Sequence, residues 1–112
     1  MRERVLITGG SGFIGSHLME AFQRRGFKVF NADLEGQPPV DIRRFRVLAD
    51  LFERVKPDLV LHLAALSSIP LCERFPKRTY ETNVVGTLNI ARLASKMGAR
   101  VIYASSSAVY GD

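Results

Sequence analysis

Residues 8–15 read Thr-Gly-Gly-Ser-Gly-Phe-Ile-Gly and lie between a short apolar segment and the first predicted helix. The glycines fit two spacings, G-x-G-x-x-G from Gly10 and G-x-x-G-x-x-G from Gly9, and both include Gly12 and Gly15. Glycine permits the positive backbone angles of a tight turn, and it lets a phosphate approach the backbone. The N-terminus of the following helix offers free N–H groups and a partial positive charge. The stretch therefore predicts a strand–turn–helix unit that binds phosphate.

A carboxylate after the second predicted strand narrows the ligand to a dinucleotide. Asp33 follows Gly15 at close to the spacing of roughly 20 residues that places a carboxylate against the ribose. No Gly-Lys-Ser/Thr follows the glycines, which disfavours a mononucleotide P-loop. The Asp33 carboxylate is suited to a ribose 2′-hydroxyl and repels a 2′-phosphate, and Leu34 and Glu35 supply no arginine to bind one. NAD is therefore favoured over NADP.

The rest of the chain alternates between predicted strands and predicted helices. Continuous apolar runs predict strands at residues 4–8, 28–33, 58–63 and 100–104, with a very short further strand at Val40–Ile42. Helical spacing predicts helices from Ile14 to Gly26, over Leu48–Val55 before Pro57, and from Pro76 to Met97, where Gly98 ends the last helix. The inward side of that last helix is predicted to carry Val84, Leu88, Ala91, Leu93 and Ala94.

This alternation predicts an α/β fold. Strands that are apolar throughout are typical of a parallel sheet covered by helices on both faces. We therefore predict an incomplete, doubly wound parallel sheet of the Rossmann type. The chain contains no internal repeat and no candidate domain boundary, so it is one domain or part of one.

Composition excludes several classes of protein. The 112 residues are 46% hydrophobic and 24% charged, as in ordinary globular domains. The single Cys72 cannot form an internal disulfide, and no Cys/His spacing fits a zinc site. The net charge of +5 comes from scattered basic residues without interleaved aromatics, so no nucleic-acid partner is expected. Because the sequence shows neither a secretory signal nor a membrane span, a cytoplasmic protein without a membrane partner is expected.

Four motifs occur in an order that resembles one enzyme family. The glycine stretch is followed by His-Leu-Ala-Ala at 62–65, by Asn-Val-Val-Gly-Thr at 83–87 and by Ser-Ser-Ser-Ala-Val-Tyr-Gly at 105–111. Together they resemble the extended short-chain dehydrogenase/reductase superfamily, in its NAD-dependent epimerase/dehydratase branch. Within that branch the sequence looks most like the 4-epimerases of UDP-glucose and UDP-galactose. Such enzymes oxidise the sugar at C4 and re-reduce it through bound NAD.

The resemblance implies a set of cofactor-binding residues. The pyrophosphate would contact the glycine turn and the start of its helix. The adenosine ribose would contact Asp33, and the adenine would contact Asp41 and Ile42. The small residues after the third long strand would lie at the nicotinamide, and two polar residues of the long helix complete the family pattern. The full set is Gly9, Gly12, Phe13, Ile14, Gly15, Asp33, Asp41, Ile42, Leu63, Ala64, Ala65, Thr82 and Asn83.

The resemblance also implies one catalytic residue in this chain and shows that two other catalytic residues of the family, a tyrosine and a lysine, have no counterpart in it. Ser106 corresponds to the catalytic Ser/Thr of the family, and Ser67 and Ser68 fall where relatives contact the nucleotide-sugar substrate. The family's Tyr-x-x-x-Lys motif is absent, because Val84 follows Tyr80 at the lysine position and Ser107 follows Tyr103. We therefore expect residues 1–112 to be the N-terminal part of an NAD-binding Rossmann domain. Later strands and the C-terminal substrate domain are absent, and the chain alone is expected to be inactive.

Alternatives to an epimerase remain open at this stage. They are a nucleotide-sugar 4,6-dehydratase fragment, a non-catalytic NAD-binding module, and another α/β domain such as a flavodoxin-like one. His17 and His62 are interpreted as packing or capping residues, since neither shows the spacing of a catalytic triad. In relatives the long helix forms half of a dimer interface, so a homodimer or other self-association is expected.

Overall fold

The computed structural model describes residues 3–10, 12–36, 38–63, 77 and 81–103, and within these residues the strands form one parallel sheet. Its strands are β1 (Arg4–Thr8), β2 (Lys28–Ala32), β3 (Leu59–His62) and β4 (Arg100–Tyr103). Their order is β2-β1-β3-β4, and Val5 of β1 lies opposite Val29 on one side and Leu59 on the other. The predicted parallel sheet is confirmed, and its two central strands are almost entirely buried.

Within the described residues, three helices of known bounds lie between these strands, and each ends where the sequence predicts a stop. Helix α1 covers Phe13–Arg24, α2 covers Phe45–Val55 and α3 covers Thr87–Met97, which a π-helical segment at Glu81–Gly86 precedes. Lys56 turns into the left-handed region just before Pro57, and Gly98 ends α3 with a φ of 72°. The predicted start at Pro76 lies outside the described residues. Among the described residues, no helix is long and apolar enough to cross a membrane.

The two faces of the sheet bury two separate apolar clusters, because successive side chains of a strand point to opposite faces. Leu6 and Val60 pack with residues of α2 and α3, including Phe52 and Ile90. Val5, Ile7 and Leu61 pack on the other face with Leu18, Met19 and Phe22 of α1. Helices thus cover both faces, which confirms the doubly wound architecture.

The short strand predicted at Val40–Ile42 does not form. The Asp41 carboxylate accepts a hydrogen bond of 3.0 Å from the backbone N–H of Arg43, and this local bond folds the chain into a turn. The carbonyl of Ile42 accepts from the side chain of Asn89 rather than from a strand. Val40 and Ile42 are nonetheless buried, so their apolar character reflects packing against the core.

The inward side of the last helix is only partly as predicted. Leu93 and Ala94 are buried, but Val84 and Leu88 are exposed, and Asn89 and Ile90 are buried instead. The buried residues Asn89, Ile90, Leu93 and Ala94 share one face at the i, i+3 and i+4 spacings of a regular helix. Leu88 lies on the opposite side of α3, so the predicted set combined residues from two sides of the helix.

Candidate functional site

The carboxyl ends of the parallel strands place three predicted site segments at one edge of the sheet. Gly9 follows β1, Asp33 follows β2 and Leu63 follows β3. From β1 the chain crosses to β2 on one side, and it then returns to β3 on the other side. In open α/β sheets such a reversal opens a crevice at the carboxyl ends, where ligands bind.

The glycine turn after β1 requires glycine at two of its positions, Gly9 and Gly15. Gly9 has a φ of 80°, and its N–H donates to the Ala32 carbonyl at 2.9 Å. A Cβ at Gly15 would lie 2.3 Å from the Gly9 carbonyl oxygen, so only glycine lets α1 pack against the turn. A Cβ at Gly12 would meet only that same oxygen, at 3.5 Å, and Gly12 begins α1 without a side-chain cap. Of the two spacings, the one that starts at Gly9 contains the residue whose positive φ forms the turn.

A cleft of about 270 Å³ joins this turn to the ends of the neighbouring strands. Six of the predicted cofactor-binding residues line it, and four further residues complete its wall. We call it the carboxyl-end cleft, and its lining consists of Gly9, Gly12, Ala32, Asp33, Leu34, Glu35, Val40, Asp41, Ile42 and Leu63. Four of these residues were not predicted from the sequence, although each lies close to Asp33 or Asp41 in the chain: Ala32, Leu34, Glu35 and Val40.

Carboxylates dominate the charge of this cleft. Asp33, Glu35 and Asp41 line it, and no Lys or Arg is among the described residues of its wall. One oxygen of Asp33 accepts the backbone N–H of Glu35 at 3.0 Å, which orients the carboxylate. Such a wall suits the hydroxyl and amino donors of an adenosine, whereas a phosphate on the ribose would be repelled. The uncapped α1 N-terminus at the other end suits a pyrophosphate. The residues present therefore fit an adenine dinucleotide with a free 2′-hydroxyl.

Arg43 fixes the Asp41 carboxylate. Its guanidinium donates to both carboxylate oxygens, with Nη2 at 2.6 Å from Oδ2 and Nε at 3.0 Å from Oδ1. These side-chain hydrogen bonds lower the pKa of Asp41 below its ordinary value, so the group is ionised at neutral pH. Arg43 also reaches Glu81 of the π-helical segment at 3.4 Å. Neither Arg43 nor Glu81 was singled out from the sequence, because nothing local indicates that the two segments meet.

The remaining predicted site residues either lie outside the cleft wall or are not described by the structure. Phe13 and Ile14 form the first turn of α1 beside Gly12, and their side chains are 80% and 65% exposed. Asn83 is half-buried in the π-helical segment and is not part of the cleft wall. The other predicted site residues lie outside the part of the chain that the structure describes: Ala64, Ala65, Ser67, Ser68, Ser106 and the side chain of Thr82.

His62 is the centre of a buried polar network. Its Nδ1 lies 2.8 Å from the Thr8 hydroxyl, and its Nε2 lies 2.8 Å from the Thr87 hydroxyl. The Thr8 oxygen also accepts the backbone N–H of Leu63 at 2.9 Å. Burial lowers the pKa of His62 to about 4, so the imidazole is neutral at pH 7. The network ties the ends of β1 and β3 to the start of α3, in agreement with the packing role predicted for this histidine.

His17 lies apart from this network. It is exposed on α1, and its Nδ1 is 2.8 Å from the Phe13 carbonyl oxygen one turn earlier. Its ring also contacts that of Phe13, with the two centroids 4.6 Å apart. These contacts within one helix fit the packing or capping role predicted for this residue.

Comparison with known proteins gives this chain a family and a set of enzyme relatives. A family model described as NAD dependent epimerase/dehydratase matches residues 5–112. UDP-glucuronic acid decarboxylase 6 of Arabidopsis thaliana is 39% identical over 122 residues, an alignment that covers 97% of this chain. The same alignment covers only 35% of the relative, so the chain spans about a third of its length.

Solved structures show the same similarity. The UDP-glucose 4-epimerase of Thermus thermophilus, in complex with NAD, is 31% identical with a TM-score of 0.84, over 94% of this chain and 37% of that one. The dTDP-4-dehydrorhamnose reductase of Bacillus anthracis str. Ames, in complex with NADP, is 26% identical with a TM-score of 0.83, over 92% and 36% of the two chains.

Proposed function

Because the chain belongs to the NAD dependent epimerase/dehydratase family, we propose that its carboxyl-end cleft binds NAD. The observation that carries this proposal is the convergence of Gly9, Gly12, Asp33 and Asp41 on one cleft. The glycine turn and the N-terminus of α1 bind the pyrophosphate, and Asp33 accepts from the ribose hydroxyls. Asp41, held ionised by Arg43, accepts from the amino group of the adenine.

Substitution of Asp33 tests the adenosine end of this site. In the whole protein, Asp33→Ala should weaken NAD binding about tenfold, which corresponds to the loss of one charge-assisted hydrogen bond. The preference for NAD over NADP should shrink as well, because the repelling charge is removed. Isothermal titration with both dinucleotides measures the two effects.

Glu20→Ala is the matched control for this substitution. It removes a carboxylate that pairs with Arg24 on the exposed face of α1, away from the cleft. Its affinity for both dinucleotides should equal that of the wild type. Unchanged NAD affinity in Asp33→Ala would contradict the assigned site.

We assign the whole protein to the enzymes that transform nucleotide sugars. NAD, when bound, supplies the chemistry of hydride acceptance from a sugar carbon. The residues of this chain hold and orient the dinucleotide, with Leu63, Ala64 and Ala65 on the nicotinamide side. Thr82 and Asn83 complete the polar side of the site, Ser67 and Ser68 contact the sugar nucleotide, and Ser106 donates a hydrogen bond to the reacting oxygen.

Two reactions are candidates for the whole protein. Epimerisation at C4 of UDP-glucose and UDP-galactose is the first, supported by the solved epimerase that is 31% identical to this chain. Decarboxylation of UDP-glucuronic acid is the second, supported by the curated relative at 39% identity. Incubation with each nucleotide sugar, followed by chromatography of the products, separates them. Conversion of neither by protein that binds NAD would contradict both activities and leave a nucleotide-sugar 4,6-dehydratase or a non-catalytic NAD-binding module.

Residues 1–112 by themselves should not catalyse either conversion. They contain no Tyr-x-x-x-Lys sequence, and they correspond to about a third of each relative. The proton-transfer group and most of the substrate contacts therefore have to come from elsewhere. Steady conversion of UDP-galactose to UDP-glucose by this segment alone would show this expectation to be wrong.

A further inference from the structure

Asn31 interrupts an otherwise apolar part of strand β2. The strand reads Lys-Val-Phe-Asn-Ala, and asparagine is depleted in strands because its short polar side chain packs poorly on a pleated surface. Asn31 is half-buried there, on the same face of the sheet as Val29. A polar side chain in such a position is expected to have a hydrogen-bonding partner.

Its partner is the glycine turn. The Oδ1 of Asn31 accepts the backbone N–H of Gly10 at 2.7 Å. The preceding N–H, that of Gly9, donates to the Ala32 carbonyl at 2.9 Å. Two consecutive N–H groups of the turn are thus bound to two consecutive residues of β2. Of these two bonds, the one donated by Gly10 depends on the identity of a side chain, that of Asn31.

Gly10 packs closely against Asn31, so a side chain at residue 10 would force Asn31 and Met19 to shift. A Cβ at Gly10 would lie 2.4 Å from the Asn31 Oδ1 and 2.7 Å from the Met19 sulfur. Positive φ is found at Gly9 among the residues of this turn that the structure describes, but not at Gly10. Gly10 is also absent from the wall of the carboxyl-end cleft, whereas Gly9 and Gly12 belong to it. Gly10 therefore packs against Asn31 and α1, away from the ligand side.

We propose that Asn31 is a positioning residue that holds the glycine turn in the conformation that binds the pyrophosphate. This inference rests on the NAD site proposed above. The hydrogen bond to Gly10 restricts the turn before a ligand arrives, so binding has less backbone freedom to remove. Asn31 acts through Gly10 and contacts neither the adenine nor its ribose.

Binding of a ligand with and without a pyrophosphate tests this role. In the whole protein, Asn31→Leu keeps the approximate shape of the side chain and removes the Oδ1 that accepts from Gly10. The dissociation constant for ADP-ribose should rise about tenfold, and that for adenosine should stay within about twofold. Only ADP-ribose contacts the turn, so a general loss of folded protein would weaken both ligands equally.

Two more variants provide the controls. Val29→Ala lies on the same face of β2 and removes core packing without touching Gly10, so the ratio of the two affinities should equal that of the wild type. Gly10→Ala breaks the same contact from the opposite side, leaves β2 intact and should repeat the selective loss for ADP-ribose. It provides the test if Asn31→Leu fails to fold.

The outcomes separate this inference from the NAD site itself. A selective loss for ADP-ribose in Asn31→Leu or Gly10→Ala supports the positioning role. Equal changes for both ligands, or no change, overturn the role and leave the NAD site standing. Failure of the wild type to bind either ligand would overturn the NAD site and with it this role.

Discussion

His62 illustrates how the surroundings of one residue set its chemistry. Its two ring nitrogens each lie 2.8 Å from a threonine hydroxyl, Thr8 on one side and Thr87 on the other. The ring also meets the edge of Tyr103, with centroids 5.8 Å apart. None of these neighbours carries a charge that would stabilise an imidazolium, and burial disfavours it further. The folded protein therefore holds this histidine neutral.

Protonation of His62 should make the protein less stable in mild acid. The pKa is about 4 when folded and near 6.5 when unfolded, so the unfolded chain binds more protons between these values. The contribution of the neutral imidazole is complete above pH 6.5 and is lost as the pH falls toward 4, at most about 3 kcal/mol. Urea unfolding at several pH values should show this loss, and His62→Asn should lack it.

Other groups titrate in the same range, so the pH dependence of His62→Asn has to be compared with that of a second histidine variant. His17→Asn makes the same replacement at an exposed position of α1. It should retain the pH dependence of the wild type. Equal pH dependence in all three proteins would show that His62 is not the group responsible.

At the scale of elements, helix α3 supports the part of the carboxyl-end cleft that Asp41 and Ile42 line, where we propose that the adenosine binds. The buried Asn89 donates to the carbonyls of Ile42 and Arg43, at 2.9 and 3.3 Å. A Cβ at Gly86 would lie 2.6 Å from the side chain of Ile42, so the start of the helix packs directly on this segment. The position of Asp41 therefore depends on α3, although the two are far apart in the chain.

Removal of the Asn89 carboxamide should destabilise the fold and weaken cofactor binding together. Asn89→Leu leaves two backbone carbonyls without this donor, which should lower the free energy of unfolding by about 1–3 kcal/mol. NAD affinity should fall as well, because the turn that carries Asp41 loses its attachment to α3. Urea unfolding and calorimetric titration measure the two effects.

Ser95→Leu is the matched control for Asn89→Leu. It introduces the same residue at an exposed position of α3 and should change the free energy of unfolding by no more than about 0.5 kcal/mol. A loss of stability in Asn89→Leu without any change in NAD affinity would separate α3 from the adenosine end of the site.

At the scale of the whole molecule, the order β2-β1-β3-β4 leaves β4 at one edge of the described sheet. Ile102 and Tyr103 of this strand are 57% and 48% exposed. An exposed apolar strand edge is a template for pairing with another chain. Val84 of the π-helical segment and Leu88 of α3 are further exposed apolar side chains.

Residues 1–112, prepared as a separate segment, should therefore self-associate. Sedimentation velocity over a range of concentrations should show a rising average mass. Ile102→Lys should reduce the association, because a charge on an edge strand opposes pairing. Val47→Lys provides the control, since it places the same charge at an exposed position of α2 away from the edge. A segment that stays monomeric at high concentration would contradict the expected pairing.

The sequence by itself determined the alternation of strands and helices, the glycine turn and the carboxylate at Asp33. These features are readable because each depends on neighbours close in the chain: apolar runs, helical spacing, and glycines between a strand and a helix. The strand predicted at Val40–Ile42 was wrong, because the Asp41 carboxylate accepts a backbone N–H and folds the chain into a turn. The prediction was also wrong at Val84 and Leu88, because Leu88 was grouped with Leu93 and Ala94 although regular spacing places it on the opposite side of α3.

Only the tertiary structure decided which polar groups meet. Asn89 reaches the carbonyl of Ile42 across 47 residues, His62 reaches Thr87 across 25, and Asn31 reaches Gly10 across 21. No local pattern indicates such pairs, because each depends on how two elements pack and on which side chains then face each other. The same packing places Gly10 against a side chain of the neighbouring strand and outside the wall of the carboxyl-end cleft.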